Sequence, residues 1–333
     1  MKAFTEQNLT SFFDGLQTRY DVRIPVRMHD GTRVLGAPGE GVLSLDGGSL
    51  PRRMTAAFFP QYEAIMSVNG HGPRMQQPVD RPLFVAGWTA ADLDCLEFVD
   101  EFFEAGYRDT IYFNKRQGAV IVGVSGRCGR DGGLLPVAGG KCDFELVRMG
   151  QWYAARAYTG RGRELAATLP EGEELADSLL DELVEESRAV SDEDRRVLQG
   201  ASHLLLEGKV PETFWRSLAD RCIACTACNL VCPTCTCFDV FDLTAADKEI
   251  CRWRLWDSCQ LEGFAREASG YNPMGQEHLR ARRRIHHKLA ADVVRWGHTT
   301  CYLCGRCDQV CPTGIGMAAV CREIVREYGN AGI

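Results

Sequence analysis

No run of about eighteen apolar residues occurs in the chain, so no membrane-spanning helix is expected. The opening MKAFTEQNLTSFFDGL lacks a basic segment followed by an apolar one, and lacks a twin arginine, so no export signal is expected either. There is no G-x-x-x-x-G-K-[ST] phosphate loop. Gly39 and Gly41 give G-x-G without the third glycine, and Gly126, Gly129 and Gly132 have the wrong spacing. These glycines read as turns, and the chain has no legible dinucleotide fold of its own. Excess positive charge is missing too. The 333 residues carry a formal net charge of −7, which argues against a nucleic-acid surface. No Ser-His-Asp or Cys-His arrangement for nucleophilic catalysis is legible.

What the chain has in quantity is cysteine, 16 residues. In a chain of this length without an export signal, thiols kept for metal in a reducing cytoplasm fit better than disulfides. Eight of them form two runs. Cys222, Cys225, Cys228 and Cys232 stand as C-x2-C-x2-C-x3-C before Pro233. Cys301, Cys304, Cys307 and Cys311 repeat the spacing before Pro312. This is the bacterial ferredoxin run for a [4Fe–4S] cluster. Three closely spaced thiolates wrap one corner of a cubane, and the fourth ligates the other cluster in two-cluster ferredoxins. Two [4Fe–4S] clusters are therefore expected. One takes Cys222, Cys225, Cys228 and Cys311; the other takes Cys301, Cys304, Cys307 and Cys232. Zinc also takes four thiolates, but its sites usually split them two and two.

The fold class expected is α+β, with an N-terminal mixed α/β domain followed by an α-helical ferredoxin-like domain. Residues 1–165 read as the mixed domain. An amphipathic helix fits its first twenty residues. Strands fit Val22–Met28, Pro82–Trp88, Thr110–Asn114 and Ala119–Ser125, with a helix at Ala90–Glu104 and a hairpin across Gly150. Residues 166–210 form an acidic helical connector, read as a solvated face with a docking surface as the alternative. Residues 211–333 form the dicluster domain. Pro211 starts a helix that delivers Cys222. The insertion between the runs reads as helical at Thr244–Ser258 and Gly275–Trp296, and Met317–Tyr328 is the last helix. Arg280, Arg282, Arg283, Arg284 and Lys288 make a basic run with His278, His286 and His287. A solvated face is the default reading, and balancing the clusters' negative charge or meeting an acidic partner is the alternative. Cys251 and Cys321 read as core residues in helical contexts. Cys235, Cys237 and Cys259 read as structural or as neighbours of the first cluster, with a third centre or a redox-active thiol pair as the alternative.

From Phe214 onward, FWRSLADRCIACTACNLVCPTCTCFDVFD, WDSCQLEGFAREASGYNP, RARRRIHHK and CYLCGRCDQVCPTGIGM resemble the β subunit of cytoplasmic sulfhydrogenases. The iron–sulfur subunit of anaerobic sulfite reductase is similar too. The N-terminal half resembles them weakly, through GWTAADLDCLEFVDEFF. The resemblance implies a cytoplasmic, non-catalytic electron-transfer subunit between a flavin- and NAD(P)-binding subunit and a catalytic subunit. No nucleic acid and no direct membrane insertion are expected. The alternative is a catalytic subunit that reduces sulfur or a disulfide near Cys235, Cys237 and Cys259. Relatives often carry a Cys-Asp pair where this chain has Ala91-Asp92. Cys95, Cys128 and Cys142 remain, one thiolate short of the usual four, so they read as buried structural thiols, with an extra cluster as the alternative.

Two cubanes per chain set the iron content. We expect about eight iron and eight sulfide per chain by chemical analysis. A value near four would contradict the paired assignment, and one near twelve would point to an extra N-terminal cluster.

Overall fold

The computed structural model describes residues 2–69, 72–75, 80–170, 172–174, 178–244 and 250–329. Outside them lie Gly70 and His71 of the first turn-rich segment, Glu171, Leu175 and Asp177 of the acidic stretch, residues 245–249 of the expected Thr244–Ser258 helix, and residues 330–333 of the dicluster domain. The chain divides into two compact units, Met1–Phe59 with Gln77–Asp192 and Pro60–Gln76 with Glu193–Ile333.

Strand β1 (Lys2–Phe4), helix α1 (Glu6–Leu16), β2 (Asp21–Arg27), β3 (Arg33–Gly36) and β4 (Val42–Leu43) open the first unit. Next in the chain, β5 (Tyr62–Asn69) and β6 (Gly72–Met75) belong to the second. The first unit resumes with β7 (Leu83–Trp88), α2 (Ala90–Glu104), α3 (Thr110–Arg116), β8 (Val120–Gly126), β9 (Phe144–Met149), β10 (Trp152–Ala157), α4 (Gly160–Ala166) and β11 (Glu173–Glu174). Helix α5 (Ser178–Leu206) follows. The sheet order is β11-β1-β10-β9-β8-β7-β2-β3, with β4 beside β2. Its middle, β2, β7, β8 and β9, is parallel, and its flanks are antiparallel. Every residue of β7 and β8 is buried, which is why their sequences run apolar without alternation. Helix α1 starts on a Thr5–Asn8 capping box and buries Leu9, Phe12, Phe13 and Leu16. The Phe12 ring meets Phe84 and Phe144 of the sheet edge-on, at 6.3 and 6.4 Å.

The N-terminal part is thus mixed α/β, as its patterning predicts. Thr110–Asn114 is a correction: this apolar run is the start of α3, not a strand. Asp109 caps it, accepting from Tyr112 N at 2.8 Å, and the cap outweighs the strand-like composition.

The second unit continues with α6 (Glu212–Arg221), α7 (Ala227–Leu230), β12 (Phe238–Thr244), β13 (Ile250–Trp256) and α8 (Glu277–His286). A π-helical stretch, His287–Ala291, leads into α9 (Asp292–Trp296), followed by α10 (Arg306–Val310) and α11 (Met317–Tyr328). Its apolar core joins Trp215 and Leu218 of α6 to Ile285, Leu289, Val320 and Ile324. The expected α-helical character needs correcting here. Ile250–Trp256, expected within a helix, is a strand, and the order β12-β13-β5-β6 makes an antiparallel sheet. The pairing partners come from residues 62–75, far away in sequence, so local periodicity could not reveal them. Arg254 on β13 pins the join, with Nη2 on Glu63 Oε1 at 2.6 Å and side chains 3% and 11% exposed.

Removing one partner of such a buried pair strands the other charge. Glu63→Ala should destabilise the fold by about 3 kcal/mol in urea unfolding followed by circular dichroism. A change under about 0.5 kcal/mol would place the pair with weak surface bridges instead.

Candidate metal centre

The two cysteine runs fold alike. The first leaves α6 at its C-cap, Cys222. Ala224 and Thr226 take φ of 50° and 62°, and Thr226 caps the short α7. In the second run Leu303 and Gly305 take φ of 50° and 76°, and Gly305 caps α10. The left-handed turns fall at the same two places in each run. Three of the four are not glycine, at a cost of about 1–3 kcal/mol each, which the surroundings must hold.

Cys222, Cys225 and Cys228 line one cleft together with Cys311 of the other run. Arg284, Gln260 and Ile315 line it as well. Arg284 is 7% exposed and donates through Nη2 to Ile315 O at 2.6 Å. Burial works against its charge, but the thiols of Cys228, Cys307, Cys222 and Cys311 outweigh this and raise its pKa. Backbone donors reach the sulfurs. Ile315 N lies 3.4 Å from Cys311 Sγ, and Met317 N lies 3.3 Å from Cys307 Sγ.

Cys232 turns the other way. It is one of the groups whose charge acts on Cys301 and Cys307, and Cys304 acts on Cys301 too. The cation here is Lys288, 6% exposed, with Nζ 2.7 Å from Thr234 Oγ1 and 3.2 Å from Thr234 O. Burial disfavours its charge, but Cys232, Cys235 and Cys301 reverse the balance and push its pKa up. Each run ends Cys-Pro-Thr, with the threonine hydroxyl 3.5 Å from Cys232 Sγ and 3.4 Å from Cys311 Sγ.

Burial pushes the Cys228, Cys301 and Cys307 thiols up, so their thiolates need positive charge beside them. Iron supplies it, and Arg284 and Lys288 add to it. An all-sulfur donor set with backbone N–H groups on the sulfurs suits an iron–sulfur cluster. Among the described residues, no trio of Cys, His, Asp or Glu converges on a single ion position. The thiols of the first set line a cleft instead.

The remaining cysteines sort by contact. Cys235 is hydrogen-bonded to Cys232, and Cys237 to Cys259. The Cys237 contact, against opposing burial, brings Cys259 down to about 5, helped by Asn229 and Gln260. Cys321 is buried in α11, as expected. Cys251 is half-buried on β13, not in a helix, because β13 pairs into the sheet. Cys95, Cys128 and Cys142 are buried in the first unit, and burial raises Cys128 and Cys142 to about 12. His287 Nε2 meets Asp292 Oδ1 at 3.2 Å.

The basic run is not a uniform solvated face. Arg282 and Arg283 are exposed, while Arg280, Arg284 and Lys288 are buried. Their spacing of four residues is the signal that composition alone hides.

Residues 221–315 match the profile of the 4Fe-4S dicluster domain. The chain carries a 4Fe-4S dicluster domain. Beyond it, the chain resembles Sulfhydrogenase 2 subunit beta of Pyrococcus furiosus, at 26% identity over 285 residues. That alignment covers 82% of this chain and 80% of the relative. Among the described residues, no helix is long and apolar enough to cross a membrane.

Lys288→Met keeps the length of the side chain and removes its charge. It should lower the midpoint potential of one iron–sulfur signal in an EPR-monitored titration, since the reduced cluster loses a neighbouring cation. Iron content should hold. An unchanged midpoint would mean that Lys288 acts on packing alone.

Proposed function

We propose that this chain is the iron–sulfur electron-transfer subunit of a multi-subunit cytoplasmic oxidoreductase. It takes electrons from a flavin- and NAD(P)-binding subunit and passes them to a catalytic subunit of hydrogenase or sulfur-reducing type. Cys222, Cys225, Cys228 and Cys311 would hold one [4Fe–4S] cluster, and Cys301, Cys304, Cys307 and Cys232 the other. The observation that carries the reading is the cleft shared by Cys222, Cys225, Cys228 and Cys311. Crossed ligation needs a thiol from the second run at the first loop. The resemblance to a sulfhydrogenase β subunit supports the assembly.

Bound clusters supply one-electron carriers. The chain's own residues do the rest. The left-handed turns set the thiols, Arg284 and Lys288 offset their charge, and the N–H groups of Ile315 and Met317 bond sulfur. A hydride from a nicotinamide needs an acceptor such as flavin, which fits a separate flavoprotein partner.

The isolated chain should be reducible by dithionite and inert to NADH and NADPH. Adding a flavoprotein subunit purified from the native complex should make it reducible by one of the two. Cys311→Ser should remove or alter the EPR signal of the Cys222, Cys225 and Cys228 site, and Cys232→Ser that of the other. Nucleotide oxidation by the flavin-free chain would overturn the relay, and a Cys232→Ser effect confined to its own run would overturn the crossing.

A further inference from the structure

Cys237 and Cys259 belong to neither cysteine run, yet their thiols are hydrogen-bonded to each other. The β12–β13 hairpin brings them together. Its ladder pairs Phe238 with Trp256, and Asp257 N continues it by donating to Cys237 O at 2.9 Å. Cys259 follows two residues later in the sequence. Its sulfur is held from the other side. Asn229 Nδ2 donates to Cys259 Sγ at 3.1 Å and to Ser258 Oγ at 3.0 Å, and Gln260 Nε2 lies 3.9 Å from the same sulfur. Cys259 is 7% exposed and Cys237 is half-buried. The pair also sits beside the proposed cluster ligands. Asn229 directly follows Cys228 in the chain, and the Lys288 charge acts on Cys232, Cys237 and Cys259 alike.

We propose that Cys237 and Cys259 form a reversible dithiol–disulfide couple that exchanges electrons with the iron–sulfur carriers of this subunit. The inference rests on the cluster reading above. In the oxidising direction the Cys237 and Cys259 S–H bonds break and one Sγ–Sγ bond forms. Two protons leave, by way of half-buried Cys237, and two electrons leave, one to each oxidised [4Fe–4S] cluster. In the reducing direction two reduced clusters return one electron each, two protons are taken up and the sulfur–sulfur bond breaks. A disulfide is a two-electron couple and each cluster is a one-electron carrier, so two clusters match one disulfide. Cys235 is a poorer partner for Cys237, since it is separated by one residue and its thiol engages Cys232. The couple gives a relay of single electrons one place where two are stored together.

The test uses the anaerobic holoprotein. One sample is oxidised with ferricyanide and another reduced with dithionite. Free thiols are alkylated under denaturing conditions and peptides are mapped by mass spectrometry. A peptide linked through Cys237 and Cys259 should appear in the oxidised sample and vanish in the reduced one. Reductive titration should take about four electrons per chain, against about two for Cys237→Ser or Cys259→Ser. Both variants should keep the iron content of the wild type. Free thiols at every potential would overturn the proposal. So would loss of about four iron per chain in Cys259→Ser, which would make that residue a ligand. Iron analysis reports on the cluster reading and peptide mapping on the thiol reading. Iron-free protein that still forms the link would sink the first and, with it, the electron exchange. Iron-loaded protein without the link would sink the thiol couple alone.

Discussion

The second unit is built around one electrostatic demand. Thiols taken out of water resist ionisation, and a cluster needs them ionised. The fold answers with two cations in its interior, Arg284 at one set of thiols and Lys288 at the other. A long charged side chain is seldom buried without partners, and here the partners are sulfur and backbone oxygen. The surrounding helices serve this placement. Helices α6 and α11 cover the apolar side of the helix that carries both cations.

The loops show the same economy of means. In the crossed arrangement each run of four cysteines gives three thiols to its own turn and sends the fourth away on a proline. Neither loop then has a full set from its own run. A chain in which one run misfolds leaves the other short of a ligand, so cluster assembly and folding of the second unit are joined. The sheet order supports this from a distance, because β5 and β6 clamp the insertion that separates the two runs.

Much of this was legible in the sequence. The cysteine spacing names the cofactor type because the geometry of a cubane dictates it. The buried strands β7 and β8 and the capped helices α1 and α2 are local patterns, and local patterns can be read. Three features were not. Thr110–Asn114 has strand-like residues, and a single cap at Asp109 decides for a helix. The β12–β13 hairpin owes its form to strands far off in sequence. Arg284 and Lys288 look like solvent-facing charge, because nothing in a residue's identity says that its neighbours are thiols. Their step of four was visible, but its meaning depends on which helix face packs inward.

The π-helical turn gives this helix a last property. At His287–Ala291 the chain widens, and two carbonyls find partners elsewhere: Lys288 O accepts from Thr300 N at 3.0 Å and Leu289 O from Ser202 Oγ at 2.5 Å. Arg284 and Lys288 therefore ride on a single rod tied down at its bulge. Any force that slides the rod moves both positive charges at once. The two sites would then rise or fall in potential as a pair, while the step between them stays nearly constant. A complex that tugs on this helix would change how readily the whole wire fills and leave its internal gradient in place.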